Sequence, residues 1–164
     1  MANDQVTTSH AEIIQWGCLC LRSLGYTLNS DLPETVANTP WSYLIRFATS
    51  AGYVYLKHTP EQIALEATII QILQNQFHAA VPTVIAHNAE LHCFLMKDAG
   101  QSLRGMLKKN FDVTLLCRAI EQFTSLQIAV ADRVEVFLDI GVPDWRIDKL
   151  PDLYKAVLVQ NDFC

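Results

Sequence analysis

Apolar residues along this chain alternate between helical and strand spacing up to about residue 97, and beyond it the spacing is helical throughout. The clearest strand is Tyr53-Val54-Tyr55-Leu56, rich in aromatic and β-branched residues. Period-two alternation puts Tyr53, Tyr55 and Lys57 on one face, and Val54, Leu56 and His58 on the other. Thr59, Pro60 and Gln62 then read as a capping box with proline at the first helical position. Ile63, Ile70, Leu73 and Phe77 follow as the apolar stripe of the helix that they open. Glu66 falls inside this stripe, whereas Glu61 lies well away from it.

On either side of this unit the pattern predicts the following. Ser9 and Glu12 form a capping box for a helix that runs to about Leu24 and stops at Gly25. Its wide apolar face carries Ile13, Ile14, Gly17, Cys18, Cys20, Leu21 and Leu24. Tyr26 to Leu28 begins an edge strand, and the stretch to Pro40 is turn chemistry. Trp41 to Thr49 is a strand that returns through Ser50-Ala51-Gly52 into Tyr53 to His58. Thr83 to Ala86 and Leu91 to Met96 are two more strands, joined by His87-Asn88-Ala89-Glu90.

From Lys97-Asp98-Ala99-Gly100 onward every segment is helical. Ser102 starts a short helix to about Lys108, and Asp112 caps a longer one with Leu116, Ala119, Ile120, Phe123, Leu126 and Val130 at helical spacing. Val134 to Leu138 precedes a turn at Gly141-Val142-Pro143-Asp144. The last stripe is Leu150, Leu153, Tyr154, Val157 and Leu158, and it needs a partner surface. The fold class is therefore α+β: a mixed part over residues 1–97 with an antiparallel sheet, an N-terminal helix and a Glu-bearing helix, then an all-helical part over 98–164.

Composition narrows the function classes. Hydrophobic residues make up 51% and charged residues 18%, which argues for a folded core. The net charge of −5, with no window dense in Lys and Arg, gives no footprint for nucleic acid. Five cysteines scattered through apolar segments fit reduced thiols in a cytoplasmic protein. The polar stretch Met1 to Ser9 is no signal peptide, and no apolar run approaches the ~20 residues of a membrane span.

The candidate chemistry starts with Glu66. A carboxylate facing the core needs a partner, and Lys57 at the end of the preceding strand is the nearest cation in sequence. The pair has two readings: a phosphate-positioning ion pair, or a partly solvated glutamate beside a lysine that snorkels to water. Cys18 and Cys20 point about 200° apart on a helix and read as packing residues. His87, His92 and Cys93 lack ordered metal-ligand spacing, and alternation sends His92 and Cys93 to opposite faces. Arg46 reads as solvent-facing.

With these residues in place, the chain from about His10 to Val159 resembles the N-terminal part of the aminoglycoside phosphotransferase/choline-kinase-like family. The carriers are Tyr55-Leu56-Lys57, Glu66, Pro82-Thr83-Val84-Ile85, the run from Phe94 to Arg104, and Gly141-Val142-Pro143-Asp144. The resemblance implies a kinase-like N-lobe in which Lys57 contacts the α/β-phosphates of ATP or GTP and Glu66 is its ion-pair partner. It makes Met96, Lys97 and Asp98 the hinge whose backbone holds the purine, with Tyr55 walling the pocket. The nucleotide loop would lie between Asn29 and Ser42. Full-length relatives transfer the γ-phosphate to a small-molecule hydroxyl.

One departure is plain. The family's His-Gly-Asp loop and its second, metal-binding aspartate are not found in these 164 residues. No catalytic residue is assigned, magnesium would need a lobe not present here, and the expectation is a truncated kinase-like chain that at most binds nucleotide. The alternatives are a non-catalytic interaction module, docking its apolar last helix on a partner or a second copy, and half of a split kinase completed by a separate catalytic lobe.

Overall fold

The computed structural model describes residues 10–160. The expected cap Ser9 lies outside them. The architecture is α+β: a five-stranded antiparallel sheet with six α-helices among the described residues. Helix α1 (His10–Ser23) is followed by strands β1 (Glu34–Thr39), β2 (Ser42–Thr49) and β3 (Gly52–His58). Helix α2 (Glu66–Phe77) then leads to β4 (Val84–Asn88) and β5 (Cys93–Lys97). The remaining helices are α3 (Leu103–Lys109), α4 (Val113–Ala131), α5 (Glu135–Leu138) and α6 (Leu150–Gln160). The strand order is β1-β2-β3-β5-β4, so β3 lies at the centre.

The core sits between α1 and one face of the sheet. Ile13, Cys18 and Leu21 of α1 pack against Tyr43, Ile45 and Phe47 of β2, Val54 and Leu56 of β3, and Cys93 and Leu95 of β5. The register explains the set: Ile45 lies opposite Leu56, Leu56 opposite Leu95, and Phe47 opposite Val54. Each fully buried Leu, Ile or Phe contributes about 1.5–3 kcal/mol of transfer free energy, so these side chains dominate the stability of this half. Gly25, at φ +84, closes α1 in the left-handed conformation that favours glycine.

Three local expectations change. The Thr59 capping box does not form. Thr59 is buried at the exit of β3, its N–H donates to His92 O at 3.1 Å, and its hydroxyl donates to Ile63 O. The sheet thus holds Thr59, the residues after Pro60 make only a 3-10 turn (Glu61–Ile63), and α2 begins at Glu66 without a side-chain cap. The stretch read as turn chemistry contains the edge strand β1, whose residues are all exposed except Ala37. Tyr26 to Leu28 forms no strand of its own, only a single bridge from Leu28 to Thr49.

The helical part follows its pattern more closely. Ser102 and Asp112 cap α3 and α4, accepting from Gly105 N–H and Leu115 N–H at 3.1 Å each. It is tied to α2 by Phe77, whose ring stacks on Phe137 at 5.8 Å, and by Arg133, which lies over the Phe77 ring and donates to the Gln76 side chain at 2.6 Å. No described helix is long and apolar enough to cross a membrane.

Gly17 sets how closely α1 can approach the sheet. A Cβ there would stand 2.7 Å from Leu56 Cδ1 and 3.0 Å from Phe47 Cζ, both of them fully buried side chains. Gly17→Ala regains about 1 kcal/mol of helix propensity against this crowding and is expected to be near neutral. Gly17→Val adds two more methyl groups without that gain and should lose about 1–3 kcal/mol, read from the urea midpoint. Equal midpoints for Gly17→Val and wild type would show that α1 does not seat at this distance.

Candidate functional site

The opposite face of β3 carries the candidate site. Because Val54 and Leu56 face the core, Tyr55 and Lys57 must project from the other side. Across the ladder Tyr55 pairs with Met96 and Lys57 with Phe94, so Tyr55, Lys57 and Met96 share a face. Lys97 pairs with Val54 and therefore belongs to the α1 face. The sheet brings Lys57, Tyr55 and Met96 together and places the Lys97 side chain apart from them.

Lys57 Nζ donates to Glu66 Oε1 at 2.7 Å. Glu66 is the first residue of α2, where the amino-terminal end of the helix dipole favours a carboxylate by about 0.3–1 kcal/mol. The Lys57 side chain is 24% exposed and that of Glu66 35% exposed, so the pair is shielded yet open to solvent at one side. It is a specific, charge-assisted contact in a partly solvated setting. Among cations of this face, Lys57 is thus held by a single carboxylate oxygen and still carries donors for a second anion.

Arg46 sits on the same face, opposite Tyr55 in the register. It is not simply solvent-facing. Its guanidinium donates to Glu34 Oε2 at 2.8 Å and lies 4.5 Å from the centre of the Tyr53 ring. The Glu34 carboxylate, and after it the Tyr55 hydroxyl, hold its pKa above the usual arginine value. Sequence pattern missed this group because Glu34 belongs to the unrecognised edge strand.

At the strand end, Lys97 N–H donates to Thr83 O at 2.9 Å and is committed to the sheet. Asp98 is the first position past β5, and its carboxylate accepts Gly100 N–H at 2.8 Å, which makes it a turn-forming residue. Lys97 and Asp98 line a cavity of about 370 Å³ together with Tyr26 and Tyr53, and neither Lys57 nor Glu66 lines it. At Asp144, two hydrogen bonds from the Arg146 guanidinium, at 2.7 and 2.8 Å, pull the carboxyl down to about 2. Among the described residues no group of three or more His, Cys, Asp or Glu side chains is placed to hold a metal ion.

In sequence, the chain matches no protein-family model and no curated protein.

Partial solvation sets the energetic weight of the ion pair. An exposed pair contributes about 0–1 kcal/mol, whereas breaking a buried one costs about 3–5 kcal/mol. Glu66→Gln should lower stability by no more than about 1 kcal/mol in chemical denaturation, keeping the fold available for ligand studies. A loss several times larger would mean that the pair is a structural element of the core.

Proposed function

We propose that this chain is a nucleotide-binding lobe of protein-kinase-like fold, akin to the aminoglycoside phosphotransferase and choline-kinase-like enzymes, that receives ATP or GTP at Lys57. The observation that carries this reading is the 2.7 Å contact from a lysine at the centre of an antiparallel sheet to a glutamate opening the next helix. A lysine so anchored presents its remaining donors in a fixed direction, which is what positioning a phosphate requires. Tyr55 and Met96, on the same face, would wall the base, and Asp98 is the first hinge position outside the ladder.

The reading is of binding and not of turnover. Positioning and electrostatics are what these residues supply; the base that activates an acceptor hydroxyl and the carboxylates for magnesium would come from a separate lobe. Cys18, Cys20, Cys93 and Cys117 are free thiols, which supports a reducing, cytoplasmic setting. A titration of the 164-residue chain with MgATP, followed by ligand-observed NMR, should show saturable binding that Lys57→Ala abolishes. Absence of any Lys57-dependent signal at millimolar nucleotide would remove the site.

A second reading rests on α6. Leu150, Tyr154, Val157 and Leu158 are each half or more exposed, a continuous apolar stripe on one helix. It favours an interaction module that docks on a second copy or on a separate lobe. Size-exclusion chromatography with light scattering should then give a dimer that Val157→Glu with Leu158→Lys returns to monomer. A monodisperse wild-type monomer that binds no hydrophobic dye excludes it.

A further inference from the structure

Three histidines remote in sequence meet at one corner of the sheet, on the side that α1 covers. His10 opens α1, and its ring lies flat on Tyr43, with centroids 3.8 Å apart and planes 4° from parallel. Tyr43 is the β2 residue opposite His58, and His58 in turn lies opposite Cys93, the residue after His92. The turn that carries His92 is fastened to this corner, since Thr59 N–H donates to His92 O at 3.1 Å. His92 itself is held at φ +48, a left-handed conformation uncommon outside glycine, so the turn fixes its position.

We propose that His10, His58 and His92 form an acid-sensitive latch, which seats the first turn of α1 on the sheet at neutral pH and releases it when the cluster takes up protons. This inference is independent of the nucleotide reading.

The electrostatics of the corner support it. Burial lowers the pKa of His58 from its ordinary value, and the nearby His10 and His92 lower it further. The titratable groups that face His58 are His10 from α1, Tyr43 from β2, Cys93 from β5 and His92 from the β4–β5 turn.

The direction follows by linkage. A histidine whose folded pKa lies below its unfolded value, about 6.5, contributes stability that is fully present above 6.5. That contribution is lost as pH falls from about 6.5 through the lower folded value. The free energy lost has a local outlet. The opening residues His10, Ala11 and Glu12 are exposed, whereas Ile13 and Leu21 anchor the rest of α1 in the core.

The test is amide exchange by NMR on the full chain, expressed as protection factors at about pH 7.5 and about pH 5.5. Ile14, Gln15 and Trp16 donate to carbonyls of the first turn and report its release. Their protection should fall between the two conditions, while Leu56 and Leu95 in the sheet keep theirs. His58→Gln should remove the fall, and His92→Gln should reduce it. An unchanged protection in wild type, or the same fall in His58→Gln, overturns the proposal. Should His58→Gln fail to fold, the wild-type imidazole titration decides: His58 titrating at or above about 6.5 also overturns it.

Discussion

The alternation of side chains along β3 is the constraint on which the rest of this structure depends. Val54 and Leu56 are buried against α1, and Leu56 lies between Ile45 on one neighbour and Leu95 on the other. A slip of one residue would turn both to the far face and drive Tyr55 and Lys57 into the core. An unpaired ammonium there costs several kcal/mol, in addition to the apolar burial forgone. The core thus selects the register, and the register delivers Lys57 to the opposite face beside Phe94. Nothing about the site needs to be specified separately at this level.

The two faces of the sheet are consequently built from different chemistry. Toward α1 the contacts are apolar and close, down to Gly17, where a methyl group would crowd Leu56 and Phe47. On the other face the contacts are ionic and half-open: Lys57 with Glu66, and Arg46 with Glu34 over the Tyr53 ring. Close packing carries most of the stability, while exposed ion pairs contribute about 0–1 kcal/mol each. A face whose charges contribute so little to folding is free to present them to a ligand.

What the sequence made legible follows the same division. Residues that serve the core announce themselves: α1, β2, β3, β5 and the caps Ser102 and Asp112 were all readable from spacing and local chemistry. Lys57 and Glu66 were readable because one alternates out of the core and the other interrupts an apolar stripe. The edge strand β1 was not, since it buries almost nothing and so carries no alternation. The start of α2 was misplaced because Thr59 satisfies the sheet and Ile63 before it can serve a helix. Strand order and the corner of histidines were not legible either, because both arise from pairings between distant segments.

Helix α2 joins these two levels of organisation. Its first residue, Glu66, meets Lys57, and its last, Phe77, stacks on Phe137 beneath Arg133 of the helical part. Eleven residue steps separate these duties by about 16 Å along a single helix. Beyond that junction α4 runs for 19 residues without one that is fully buried, and Ile120 and Phe123 stay more than half exposed. Its amphipathic pattern is complete while its packing is not, so the sheet side folds around its own core and the helical side leans on α2.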